Sequence, residues 1–239
     1  MRENPELVWE VYLSLEDEFL NYIKYIPLVS NHDNVWSHPL ANLLNNVGSC
    51  VDSFFKNAIF CESMDGFEGI RPLREEESKQ NMKSYREIFD AKYHLSDKKI
   101  FDLQTLSPHN PFLKWKEGKT PLWWKDYTGI KHDRFRNKER ATLKSTLDAL
   151  GGLFLLFLIH KETMCVLIDR DVVKNGCGGS GHPKEYCKSV MSRGEPFDEQ
   201  GLNQIYAKTA LFGYVFEDKY RHYDDDEKRR ILSPAYPGY

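Results

Sequence analysis

The sequence predicts an all-α fold: a mainly helical domain over residues 1–163, followed by a small, partly irregular extension over 164–239. Three observations predict it. Apolar residues recur at steps of three and four along several long stretches. Cap residues and prolines stand at the ends of those stretches. No stretch alternates apolar and polar residues as a half-buried strand would.

The first helix is announced by Asn4 as N-cap and Pro5 in the first turn. Val8, Tyr12, Leu15, Phe19, Tyr22 and Ile26 then form its apolar stripe, Glu6, Glu10, Glu16, Asp17 and Glu18 its polar face, and Pro27 stops it. Ser37 caps a second helix with Pro39 in its first turn. Its stripe is Leu40, Leu44, Val47, Val51, Phe54 and Ala58, and Asn45, Ser49, Asp52 and Lys56 lie on a more polar stripe. Asp52 is a surface carboxylate or a second-site acid. Residues 61–77 read as loop. A third helix is expected from Ser78 to about Tyr93, with Met82, Tyr85, Ile88 and Phe89 inward, and Ser96 starts a short turn through Leu103. A connection punctuated by Pro108, Pro111 and Gly118 leads to Thr120-Pro121, a cap and first-turn pair opening a helix through Trp123, Trp124 and Tyr127. The longest pattern runs from Asn137 to His160. It turns apolar on every side at Leu153 to Ile159, with Gly151-Gly152 permitting close backbone approach.

The extension carries a short apolar run, Met164 to Ile168, read as strand or helix tail, and a glycine-rich loop at Gly176, Gly178, Gly179 and Gly181. Leu211 to Phe216 reads as a short strand or helix. Tyr223-Asp224-Asp225-Asp226 and Pro234 to Tyr239 read as exposed tail.

Net charge is −3, so the whole molecule is not a bulk nucleic-acid binder. The balance is local instead: from Lys114 to Lys144 there are ten Lys or Arg and four acids. Such a surplus contacts a phosphate backbone, or is a solvated surface balanced by acidic neighbours. Five cysteines and no signal peptide point to a reducing, cytoplasmic setting. The apolar run Ala149 to Ile159 has eleven residues against the roughly twenty a membrane span needs, so no membrane association is expected. Cys177-x4-His182-x4-Cys187 copies three ligands of a zinc knuckle, but Lys174 stands where the fourth belongs. A structural zinc site is four-coordinate. No metal or other cofactor is therefore expected.

The chemistry-bearing segment is Trp123-Trp124-Lys125-Asp126-Tyr127 with Lys131-His132-Asp133-Arg134. Together with Tyr12-Leu13-Ser14-Leu15-Glu16, Tyr25-Ile26-Pro27, Gly48-Ser49-Cys50-Val51-Asp52, Tyr85-Arg86-Glu87-Ile88, Pro111-Phe112 and Ala149-Leu150-Gly151-Gly152-Leu153-Phe154, it resembles HEPN-like bacterial proteins of abortive-infection and toxin–antitoxin defence, over about residues 10–160. The resemblance implies an up-and-down helical bundle that pairs into homodimers. It implies a metal-independent endoribonuclease leaving a 2′,3′-cyclic phosphate, with RNA as substrate and a cognate antitoxin or other defence protein as partner. The family's signature is an Arg, then a His after four to six intervening residues. Here Lys125 replaces that Arg, six intervening residues before His132. The catalytic set is then Lys125, His132 and Arg134, with Lys131, Tyr127, Asp133 and Arg136 holding or orienting the substrate. Histidine suits proton transfer near neutral pH. Lysine lacks the bidentate fork of arginine, so a non-catalytic module binding RNA, a nucleotide or a protein is the competing reading. The all-apolar Leu153 to Ile159 points to a dimer with the Trp123–Arg134 segment near its axis.

Overall fold

The computed structural model describes residues 4–175, 205–217 and 222–233. It is mainly helical but not all-α. A five-stranded antiparallel sheet overturns the all-helical expectation. The chain divides into two compact units: residues 1–98 with 110–156, and residues 99–109 with 157–239.

The first unit begins with α1 (Pro5–Ile23) and α2 (His38–Ala58). Both start as their caps dictate. The Asn4 side chain accepts from the Glu6 amide, and Ser37 Oγ accepts from the Leu40 amide at 3.2 Å. The α2 stripe from Leu40 to Ala58 is buried as predicted, whereas α1 buries Trp9 and Ile23 rather than Val8 and Tyr22. Its Glu16 also belongs inside, accepting from the Tyr12 hydroxyl at 2.8 Å. The stretch read as loop contains α3 (Ile70–Glu75). The third expected helix starts later than Ser78: the Asn81 side chain accepts from the Lys83 and Ser84 amides and opens α4 (Met82–Tyr85). One π-helical turn (Arg86–Asp90) and α5 (Ala91–Tyr93) follow. Tyr85 and Phe89 pack on Phe55, with centroids at 4.7 and 4.9 Å.

Next come α6 (Leu122–His132) and the four-residue α7 (Arg134–Asn137). Thr120 does not cap α6, whose Pro121 N-cap position has no side-chain hydrogen bond. The long final pattern is also broken. A 3-10 turn (Lys138–Arg140) separates α7 from α8 (Leu143–Ile159), where the Thr142 hydroxyl accepts from the Ser145 amide at 3.1 Å. Leu153 to Leu158 are buried, so the apolar circumference of α8 is covered within the chain and gives no independent reason for a dimer. At Gly152 an added Cβ would lie 3.2 Å from Trp123 Cζ2, the close approach the glycine pair promised.

The second unit holds the sheet: β1 (Ile100–Asp102), β2 (Pro108–His109), β3 (Val173–Asn175), β4 (Ile205–Lys208) and β5 (Phe212–Val215), in the order β2-β1-β5-β4-β3. β1 lies where a turn was expected, and Leu211 to Phe216 resolves as β5. Met164 to Ile168 is helical, part of α9 (Lys161–Asp169). The acidic run read as exposed tail instead opens α10 (Asp225–Leu232). The Asp224 side chain accepts from the Glu227 amide at 2.8 Å, and Glu227 accepts from the Asp224 amide at 3.0 Å. This reciprocal pair satisfies two otherwise orphaned donors. Ile231 and Leu232 join Phe101, Val215 and Tyr223 in the unit's core. No single helix among the described residues is long and apolar enough to cross a membrane. The zinc-knuckle pattern Cys177, His182 and Cys187, the glycine-rich loop and Pro234 to Tyr239 lie outside the described residues.

Candidate functional site

Of the seven residues singled out in the sequence, two are drawn together. Tyr127 is buried, and Lys131 Nζ donates to its hydroxyl at 3.1 Å while lying 5.4 Å from the ring centroid. The Ser49 hydroxyl stands 3.4 Å from the same oxygen. The hydrogen bond to the Tyr127 oxygen, with the Asp52 carboxylate in range, holds the Lys131 ammonium above the ordinary lysine value. Asp52 itself pairs with Lys56 at 2.9 Å. Tyr127 reaches this position because α2 has a glycine there: a Cβ on Gly48 would lie 2.3 Å from Tyr127 Cγ. Tyr127 is thus a packing residue of the α2–α6 contact that also fixes an ammonium.

Lys125 and His132 are both exposed on α6, which is continuous between them. Seven residues are about 10 Å of rise and about 20° short of two full turns. The two side chains therefore share a face, roughly opposite buried Trp123, Tyr127 and Ile130. No contact joins the two side chains among the described residues. His132 ends the helix, and its side chain makes no hydrogen bond among the described residues.

The helix breaks at Asp133, whose extended backbone and side chain start α7; Asp133 Oδ1 accepts from the Arg136 amide at 3.1 Å. Its carboxylate is a cap, with no contact to His132. Asn137 Nδ2 ties the turn back to the Gly129 and Asp133 carbonyls at 3.0 and 2.9 Å. Arg134 Nη1 donates to Asn42 Oδ1 at 2.6 Å, which anchors α7 to α2. Arg136 is exposed.

The structure sorts the ten local cations. Lys114 and Lys119 pair with Glu117, Lys116 with Asp97 and Lys144 with Asp148. The six from Lys125 to Arg140 have no carboxylate within ion-pair distance among the described residues. They are Lys125, Lys131, Arg134, Arg136, Lys138 and Arg140. Asp126, on the same segment, is half-buried: burial pushes its carboxyl up, against the Ser145 hydroxyl bond at 2.5 Å and the charges of Arg140 and Lys125. Between Arg134 and Arg136 stands Phe135, 87% exposed. Lys138 Nζ lies 5.4 Å from the centroid of Trp36, which is 37% exposed.

Sequence reasoning reached the cations of this surface but missed Phe135, Trp36 and Asn42. Phe135 left a signal, an aromatic residue flanked by arginines in a segment without apolar periodicity. Trp36 and Asn42 left none, because their place beside α7 and the 3-10 turn depends on the tertiary path. No family model matches the chain, and no curated protein and no solved structure matches it either.

Proposed function

We propose that the protein binds RNA through the basic surface formed by α6, α7 and the turn before α8. One observation carries this reading: six cations between Lys125 and Arg140 lack carboxylate partners among the described residues, whereas the neighbouring four each stand within ion-pair distance of an acid, Lys114 and Lys119 sharing Glu117. Unneutralised cations on one exposed surface attract a polyanion and release its counterions. Within residues 125–140 the count is six cations against Asp126, Asp133 and Glu139, a local surplus of three despite the net −3 of the chain. A cytoplasmic setting belongs to the same proposal. It is supported by Cys50 and Cys61 standing as free thiols.

The test is RNA affinity as a function of salt. Binding should weaken linearly in log–log form, with a slope near −0.7 per phosphate contacted. Arg136→Glu with Lys138→Glu should weaken it at least tenfold. RNA affinity that is absent at low salt, or unmoved by this pair, refutes the proposal.

Ribonuclease chemistry of the HEPN type is the second reading. What favours it is the pairing of exposed His132 with Lys125 on one helix face, next to Arg134 and Arg136. In this reading the two lie about 10 Å apart along α6, and the second chain of a homodimer completes the site. A positioned acid or base contributes about a hundred- to ten-thousand-fold. His132→Ala should then abolish cleavage in chelator without changing RNA affinity, and Lys125→Arg should raise activity. A monomeric mass in light scattering, or RNA bound and left intact by the wild-type chain, removes this reading and leaves the first. A defence partner protein belongs to it as well, and co-purification from the native host tests that.

A further inference from the structure

We infer that the basic surface is built for unpaired nucleic-acid strands, with Phe135 as a stacking platform for a base and Trp36 as a second. This rests on the proposed binding surface and names the class of strand it takes.

The first ground is exposure. Phe135 is 87% exposed, the greatest exposure together with Tyr25 among the large hydrophobic residues of the described chain. A solvated phenyl ring has no packing role in the chain itself.

The second ground is rigidity. A ring on a floppy loop would lose most of a stacking gain to ordering entropy. Phe135 instead sits on a short helix held at both ends. Asp133 caps it through the Arg136 amide at 3.1 Å, Asn137 ties it to Gly129 and Asp133, and Arg134 anchors it to Asn42. The ring is held outward in advance.

The third ground is what surrounds the ring. Arg134 and Arg136 flank it in sequence, and no acid pairs with either among the described residues. Phosphates run along one side of every base. An aromatic face with cations beside it therefore matches one nucleotide unit, base and charge together. Trp36, 37% exposed, stands on the adjoining element. Its backbone bridges Thr142, the Leu143 amide donates to the Val35 carbonyl at 2.8 Å, and Lys138 Nζ lies over its ring, 5.4 Å from the centroid.

The geometry points away from duplexes. In a paired helix the base faces are already stacked on one another, and only phosphates and groove edges are offered. Phe135 and Trp36 gain nothing from such a ligand. An unpaired strand exposes its base faces, and every base has one, so the surface should tolerate sequence.

The experiment measures fluorescence anisotropy of labelled oligouridine, the matching DNA oligomer and a duplex RNA with the full chain, at several salt concentrations. Wild type should bind both single strands more tightly than the duplex. Tighter binding of the RNA strand than of the matching DNA assigns a 2′-hydroxyl contact in addition. Phe135→Ala should weaken single-strand binding roughly five- to hundredfold, as loss of one stacked base does. Its duplex affinity, its salt slope and its thermal melt should stay at wild-type values, because no charge and no core contact is removed. Phe135→Trp should restore binding, and Trp36→Ala should show the same selective loss. Equal affinity for duplex and single strand, or less than a twofold change in Phe135→Ala, overturns the inference while salt-dependent binding of any nucleic acid keeps the proposed function. No binding of any nucleic acid overturns both. A change of oligomeric mass in Phe135→Ala without a change in affinity overturns the inference by making the ring a self-contact.

Discussion

Gly48→Ala tests the α2–α6 contact on which the candidate surface is mounted. In an exposed helix this exchange stabilises, by about 1 kcal/mol, because alanine has the better helix propensity. Here the added Cβ would lie 2.3, 2.4 and 2.7 Å from Tyr127 Cγ, Cδ2 and Cδ1. Those atoms are the root of the ring, not its tip, so a χ rotation cannot clear them without displacing α6. Tyr127 is 1% exposed, and its far side is packed, with Trp124 at 5.0 Å between centroids. Ordinary carbon contacts lie near 3.5–4.0 Å, so a shift of roughly 1 Å is required. Overpacking of this kind costs about 1–3 kcal/mol or more. The contact depth places Gly48→Ala at the upper end, and after the propensity gain the net loss should be about 2 kcal/mol. Urea denaturation followed by far-ultraviolet dichroism measures it. Tyr127→Leu in the Gly48→Ala background should recover part of the loss. A Gly48→Ala variant as stable as wild type, or more stable, would refute the reasoning and mean that α6 is free to move.

Trp123 is 2% exposed and its indole N–H donates to the Pro111 carbonyl at 2.8 Å; Trp123→Ala should cost about 3–5 kcal/mol in the same denaturation assay. Asp224→Ala removes half of the reciprocal cap of α10 and should cost about 0.5–2 kcal/mol, visible as faster amide hydrogen exchange in residues 225–232. Asp102 gives a pH dependence. Burial alone would push its carboxyl up, but the His109 imidazole at 3.1 Å and the Thr105 hydroxyl and amide, each at 2.7 Å, outweigh burial and hold it below the ordinary range. A depressed carboxyl stabilises the fold fully above its unfolded pKa of about 3.9 and loses that contribution as pH falls through the lower folded value. The stability gap between wild type and Asp102→Asn should therefore shrink as pH falls below about 4; a gap that widens over that range would contradict the assignment.

What the sequence by itself determined is the part of the fold made by neighbours a few positions apart. Asn4 and Ser37 cap the helices they were expected to cap. The Leu40 to Ala58 stripe is buried, and the apolar turn of α8 lies inside. These follow from three- and four-residue spacing, which one helix satisfies without outside help. The sheet escaped because its strands are two to four residues long, too short to establish an alternation. They also become strands only by pairing with distant segments, Phe101 with Gly213 and Val173 with Ala207. The acidic run at Asp224 was polar enough to pass for tail, and only the apolar surface around Phe101 and Val215 gives its Ile231 and Leu232 something to bury against. At the candidate site the cations were legible as a count. Which of them are neutralised was not, because Asp97 pairs with Lys116 only once the fold closes the connection between them. Tyr127, Asp133 and Lys131 looked like members of a reaction site. A tertiary contact packs the first against Gly48, whereas contacts three and four residues apart make Asp133 a helix cap and Lys131 a donor to the Tyr127 hydroxyl.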